Sequence, residues 1–215
     1  TEGNAWQHSW FVPQAVDDLI AIHGGNEIFT SRLEKLFTES SEITGDNVSA
    51  DITGLIGQYA HGNEPSHHIA YMFNHANQPW RTQYWARHIM DTQYNTTPNG
   101  LSGNEDCGQM SAWYVLSSIG LYPMNPASGE YEIGSPIFEK STIKLPENKT
   151  FMIEAEYVSH TNFYIQSATL NGKPFTKTTL SHQDILKGGT LHFVMGNKPN
   201  KNWGIKNKAQ QLTKK

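Results

Sequence analysis

Three stretches of the 215-residue chain gather side chains suited to proton transfer or cation binding. The first is Glu2-Gly3-Asn4-Ala5-Trp6-Gln7, a carboxyl with an indole close by. An apolar neighbour disfavours a charged carboxyl, so Glu2 is a candidate proton donor; the plain alternative is a helix-terminal Glu facing water. The second is Tyr59-Ala60-His61-Gly62-Asn63-Glu64-Pro65-Ser66-His67-His68, where polar groups crowd around a proline. The third runs from Pro98 to Gln109 and contains Gly103-Asn104-Glu105-Asp106-Cys107-Gly108. Helix capping by Asp106, with Glu105 beside the positive helix end, accounts for one acid but not for the glycine-framed cluster. Glu2 and Asp106 together supply two separated carboxyls. Hydrolysis of a glycosidic bond needs such a pair, one to protonate the leaving oxygen and one to activate water.

The histidine-rich stretch bears on metal binding. The zinc helix of metalloproteases needs two His four apart with Glu after the first, whereas His61 and His67 are six apart with Gly62 and Pro65 between them. Glu64-x-x-His67 has di-iron spacing, but no second copy accompanies it. Asn63 and Glu64 supply oxygen, which suits a hard cation such as calcium. The bland alternative is that the histidines hydrogen-bond inside a helical core.

The elements that must carry these stretches change character along the chain. Only 4 of the 16 basic residues but 13 of the 20 acidic ones precede residue 126, so the first part is acidic and the second basic. The net charge of -4 argues against a general nucleic-acid binder, and no apolar run approaches bilayer length. The single cysteine, Cys107, excludes an intrachain disulfide and any multi-cysteine zinc site. The chain opens on polar sequence without Met or a signal peptide, which reads as a mature or truncated protein.

Over residues 1–125 the apolar period is helical: Val16 to His23 stopped by Gly24-Gly25, a stripe from Ile28 to Phe37 behind a cap at Asn26, a helix begun by Pro65, another from Pro79 to Tyr94, and Gln109 to Ile119 closed by Gly120. Such helices suit an irregular bundle or part of a toroid of helical hairpins. The turn-rich stretch from Gly120 to Gly129 marks a boundary near residue 125. Over 126–215 the period becomes that of strands, at 142–145, 151–156, 164–170 and 190–195. Asn171-Gly172 is a hairpin signal. This predicts an antiparallel sheet, half of a sandwich packed on the helices, followed by a solvated Lys-rich tail from Lys198. The fold class is α+β.

The ordered motifs Glu2-Gly-Asn-Ala-Trp-Gln7, Phe11-Val-Pro13, Gly54 through His68, Gly103-Asn-Glu-Asp-Cys-Gly-Gln-Met-Ser-Ala-Trp-Tyr114 and Gly120-Leu-Tyr-Pro-Met-Asn-Pro126 resemble glycoside hydrolase family 92, as do Tyr131 to Pro136 and Gly188 to Leu191. The resemblance runs over nearly all of residues 1–204. It implies an exo-acting, calcium-dependent, inverting α-mannosidase, with a catalytic (α/α)6 toroid, C-terminal sheet elements and an N-terminal β-sandwich domain. It implies Glu2 as general acid, Asp106 as general base and Asn104 as a holder of the water. It places Asn63 and Glu64 at the calcium, and Trp6, Gln58, His67, His68 and Glu105 near the sugar. The partners so implied are a mannose-containing glycan and the rest of the same enzyme, and the location is secreted or periplasmic. The expectation is thus a C-terminal piece of a larger enzyme, inactive alone. Two departures concern linkage preference: Gln14-Ala15 stand where relatives carry His-Asp, and Glu42 to Asn47 fall in a variable region. A sugar-binding module and a hydrolase of phosphate-linked mannose are the alternatives. The first does not need Glu2 and Asp106, and the second needs little protonation by Glu2.

Overall fold

A computed structural model of the chain describes residues 2–205. The helical part holds α1 (Ala5–His8), α2 (Val16–Ile22), α3 (Asn26–Thr38), a small hairpin of β1 (Leu55–Ile56) and β2 (Tyr59–Ala60), α4 (Met72–His75), α5 (Pro79–Gln93) and α6 (Gln109–Ser118). In α3 the spacing of Phe29, Leu33, Leu36 and Phe37 puts all four on one buried face. Each such burial stabilises by roughly 1.5–3 kcal/mol. Phe37 stacks on Trp85 of α5 at 4.4 Å between ring centroids, and on Tyr59 at 4.7 Å. Trp113 of α6 completes this core. Pro79 opens α5 as expected, and Gly120, at φ 86°, follows the end of α6.

Two helix expectations change. The α3 cap is Gly25, with Asn26 already inside the helix. After Pro65 the chain makes two 3-10 turns, Glu64–Ser66 and Ile69–Tyr71, and only then the single turn of α4. Residues 66–74 are buried on every side, so their packing replaces the regular helical ladder. The indole N–H of Trp113 donates to the His67 carbonyl, at 3.0 Å, in place of a backbone partner.

The second part holds β3 (Leu121–Tyr122), β4 (Glu130–Ile133), β5 (Lys140–Lys144), β6 (Thr150–Glu156), β7 (Tyr164–Leu170), β8 (Lys173–Pro174), β9 (Thr179–Ser181), α7 (His182–Leu186) and β10 (Gly189–Gly196). Its sheets run β5-β6-β10-β7-β8 and β3-β4-β9, over a common core of Leu121, Ile133, Phe151, Ile153, Leu191 and Phe193. Asn171 and Gly172, both at positive φ, turn β7 into β8. The larger sheet is mixed rather than antiparallel, because β10 runs parallel to β6. The chain from β6 to β10 passes through β7, β8, β9 and α7, the long connection that a parallel return requires.

The stretch from Lys198 to 205 is not a solvated tail. Trp203 is buried and donates its indole N–H to the Phe175 carbonyl at 3.1 Å. The remainder of the expected tail lies outside the described residues. Buried polar pairs join the two parts: Gln83 accepts from the Ile165 amide at 3.0 Å, Arg87 donates to the Pro136 carbonyl at 2.6 Å, and Asn74 donates to Glu132 at 2.8 Å.

Candidate active site

The segment carrying Glu2 is stapled to the segment before Glu64. Asn4 caps α1 in a reciprocal box with Gln7, and Gln7 donates onward to the Gln58 carbonyl at 2.6 Å. Asn4 reaches the Gln58 side chain at 3.3 Å, and buried Asn63 donates to the Glu2 carbonyl at 2.8 Å. Glu2 is exposed, and its backbone is tied one residue from Glu64 in sequence. Trp6 is half-buried, packs against the helical core, and has the Lys35 ammonium 5.8 Å from its ring centroid.

The third stretch folds as a strained loop against the same region. Asp106, Cys107 and Gly108 have φ of 51°, 58° and 93°, so three consecutive residues are left-handed. Gly108 is the cap of α6, with no side-chain cap bond; Asp106 stands outside the helix and is not its N-cap. The Asp106 carbonyl accepts from the Gln109 amide at 3.2 Å, and the Glu105 carboxylate accepts from the Ser111 amide and hydroxyl at 3.1 and 2.9 Å. That leaves the Asp106 side chain to meet Glu64. Glycines make the approach possible: a Cβ on Gly103 would lie 2.5 Å from the Gly62 carbonyl oxygen. Asn104 is exposed on the same loop.

Electrostatics follow from this crowding. Desolvation, then the charge of Glu64 and a hydrogen bond with it, then Asp51, raise the Asp106 carboxyl above its ordinary value, while His67 opposes the rise. Asp106 is exposed, so we attribute the rise chiefly to Glu64, a like charge that disfavours ionisation. Burial lowers His67 to about 4, with His68 adding to the shift and the His61 carbonyl and Asp106 opposing it. Burial likewise lowers His68.

Meeting carboxyls and an adjacent amide have the donor chemistry of a hard-cation site. With its nitrogen on Glu2, Asn63 keeps an oxygen for a cation. The number of donors is smaller than calcium takes, roughly six to eight oxygens. Among the described residues no three His, Cys, Asp or Glu side chains converge on one point. The residues therefore fit calcium in kind, with further oxygens needed from elsewhere.

The structure thus sets Asp106 against Glu64, with Asn63 next in sequence holding the Glu2 backbone, the exposed Glu2 side chain outside that pair, and Gln58 bonded to the Glu2 segment. His67 and His68 are buried. His67 uses both ring nitrogens, on the His61 carbonyl at 3.0 Å and on Gln109 at 3.1 Å, and His68 bonds the Trp10 carbonyl at 2.8 Å. Sequence reasoning missed Asp51, Tyr94 and Gln109. Gln109 lies within the Gly103–Tyr114 motif, but neither Asp51 nor Tyr94 carries a signal.

Residues 1–197 match the family described as glycosyl hydrolase family 92 catalytic domain. The chain belongs to that family. A family 92 α-mannosidase of Bacteroides thetaiotaomicron, solved in complex with mannoimidazole, is 43% identical with a TM-score of 0.87, the match covering 95% of this chain and 27% of that one. A family 92 inverting mannosidase of the same species is 38% identical with a TM-score of 0.83, covering 96% of this chain and 29% of that one. An uncharacterised secreted glycosidase of Arthroderma benhamiae is 33% identical over 206 residues, which are 94% of this chain and 24% of that protein. The chain therefore spans about a quarter of the length of these relatives.

Proposed function

We propose that these residues form one wall of the active site of an exo-acting, inverting α-mannosidase that removes terminal α-linked mannose from glycans, N-glycans among them. The observation that carries the reading is the meeting of Asp106 with Glu64, one residue from the side chain that holds the Glu2 backbone. Glu2 protonates the departing glycosidic oxygen, and Asp106 takes a proton from the water that attacks the opposite face of the sugar. An inverting pair must leave room for that water, so the two carboxyls work roughly 6.5–9.5 Å apart. Asn104 holds the water, while Trp6, Gln58 and Glu105 line the sugar's surroundings. Asn63 and Glu64 are the residues that would hold calcium; when bound, it supplies charge stabilisation and a hold on vicinal hydroxyls.

Because the chain spans about a quarter of its relatives, we assign the activity to a unit of their length. These residues alone leave an open, solvated site where positioning and electrostatics are weak. In the whole unit we propose a complete helical toroid. The Arthroderma benhamiae relative is described as a secreted glycosidase, and we propose a secreted or periplasmic location for this protein. No helix among the described residues is long and apolar enough to cross a membrane.

The test is Glu2→Gln in a protein of the relatives' length. Activity on a glycan, whose leaving oxygen needs a proton, falls by roughly 10²–10⁴-fold. Activity on a dinitrophenyl mannoside, whose leaving group needs none, largely survives. Equal loss on both substrates removes Glu2 as the acid, and equal retention on both favours a phosphate-type leaving group.

A further inference from the structure

Two chains of buried and partly buried hydrogen bonds run between the loop of Glu64 and α6, the helix that follows Asp106, and their donor–acceptor sense is fixed by chemistry. The Tyr94 hydroxyl donates to the Met110 carbonyl at 3.0 Å, so it accepts from His61 Nε2 at 2.7 Å. His61 Nδ1 is then the acceptor for the Tyr59 hydroxyl at 2.8 Å. In the second chain the His61 carbonyl can only accept, so His67 Nε2 carries the proton across 3.0 Å. His67 Nδ1 in the neutral ring accepts from the Gln109 amide at 3.1 Å.

We propose that Gln109 is a positioning residue for the mannosidase reaction, holding the Asp106 loop at its working distance from the Glu64 loop through His67. This rests on Asp106 being the base. Gln109 is the first residue of α6, and its own backbone amide holds the Asp106 carbonyl. Its side chain, which also meets Tyr122, reaches directly from this first turn to His67, whose amide in turn holds the Glu64 carbonyl at 3.0 Å. The loop between them has three left-handed residues, two of them not glycine, at about 1–2 kcal/mol each. Such a loop relaxes when its tether is cut. The Tyr94 bond to Met110 and the Trp113 indole bond to the His67 carbonyl hold the helix one and four residues further along, so neither replaces the tether at its first residue.

The test is a double-mutant cycle in a protein of the relatives' length, with calcium present and an aryl α-mannoside as substrate. Gln109→Leu keeps the bulk and removes the donor. Gln109→Asn keeps the amide but is one methylene short, and serves if the Leu variant does not fold. A tether displaced by about 1 Å lowers kcat roughly 10–100-fold, with KM within about twofold. In the Asp106→Asn background the same substitution has no further effect on kcat, because the group it positions is gone. A general structural weakening multiplies the two losses instead, and that result overturns the proposal. Near-normal kcat in Gln109→Leu, beside a disabled Asp106→Asn, overturns it while leaving the assigned base in place. Full activity in Asp106→Asn overturns both.

Discussion

Gly103→Ala is the sharpest perturbation of the contact between the two loops. A Cβ at residue 103 would lie 2.5 Å from the Gly62 carbonyl oxygen and 2.9 Å from Thr53 Oγ1, against an ordinary contact of 3.4 Å or more. Backbone is the first obstacle, so rotation of a side chain does not relieve it. The residue also sits at φ 69°, where Ala is disfavoured by about 1–2 kcal/mol. The loops must therefore part by roughly 1 Å, a displacement that costs about 10²-fold in rate when it moves a catalytic group. We expect kcat on an aryl α-mannoside to fall by about two orders of magnitude, with an unfolding free energy lowered by only about 1–3 kcal/mol. The assay is steady-state kinetics of the variant at the relatives' length, with its folding checked by thermal unfolding. A folded variant with kcat within about threefold of the parent would refute the reasoning that this glycine pair sets the position of Asp106.

Chelation should abolish activity, and calcium should restore it better than zinc, since the donors at Asn63 and Glu64 are oxygens; full turnover after exhaustive chelator treatment contradicts this. Buried His67 stays neutral down to about pH 4, whereas in the unfolded chain it takes a proton below about 6.5. The unfolded state thus binds more protons as pH falls from 6.5 to 4, and roughly 3 kcal/mol is lost across that window from this residue alone. Hydrogen-exchange protection of residues 66–74, corrected for intrinsic rate, should be markedly lower at pH 5 than at pH 7; equal protection would show that these histidines are not held neutral by burial.

The parts legible in the sequence are those whose signal is local. The apolar stripes of α3 and α5, the proline at 79, the glycine at 120 and the strands β6, β7 and β10 each lie within one element, and the structure shows them, except that Ile28 at the head of the α3 stripe is exposed and β7 does not alternate strictly. The helix expected to begin at Pro65 is instead two 3-10 turns and one α turn, because burial on all sides erases periodicity there. The parallel pairing of β10 with β6 joins residues far apart in sequence, where turn chemistry says nothing. Lysines dominate the stretch around Trp203, so its composition reads as solvated although the indole is buried. At the site, residue types named the loops, while the close approach of Gly62 and Gly103 is visible only in the structure. The bonds from Gln109 to His67 and from Tyr94 to His61 span 42 and 33 positions, and no spacing rule reaches that far.

The most direct test of the assigned carboxyl pair is the configuration of the sugar first released. Proton NMR should follow a protein of the relatives' length acting on an aryl α-mannoside with calcium present, within the first turnovers and before mutarotation. Glu2 as acid and Asp106 as base for a water on the opposite face produce β-mannose first, with the α anomer growing in only later. Release of α-mannose at the outset would mean a covalent intermediate on one of the two carboxyls, and would contradict the account.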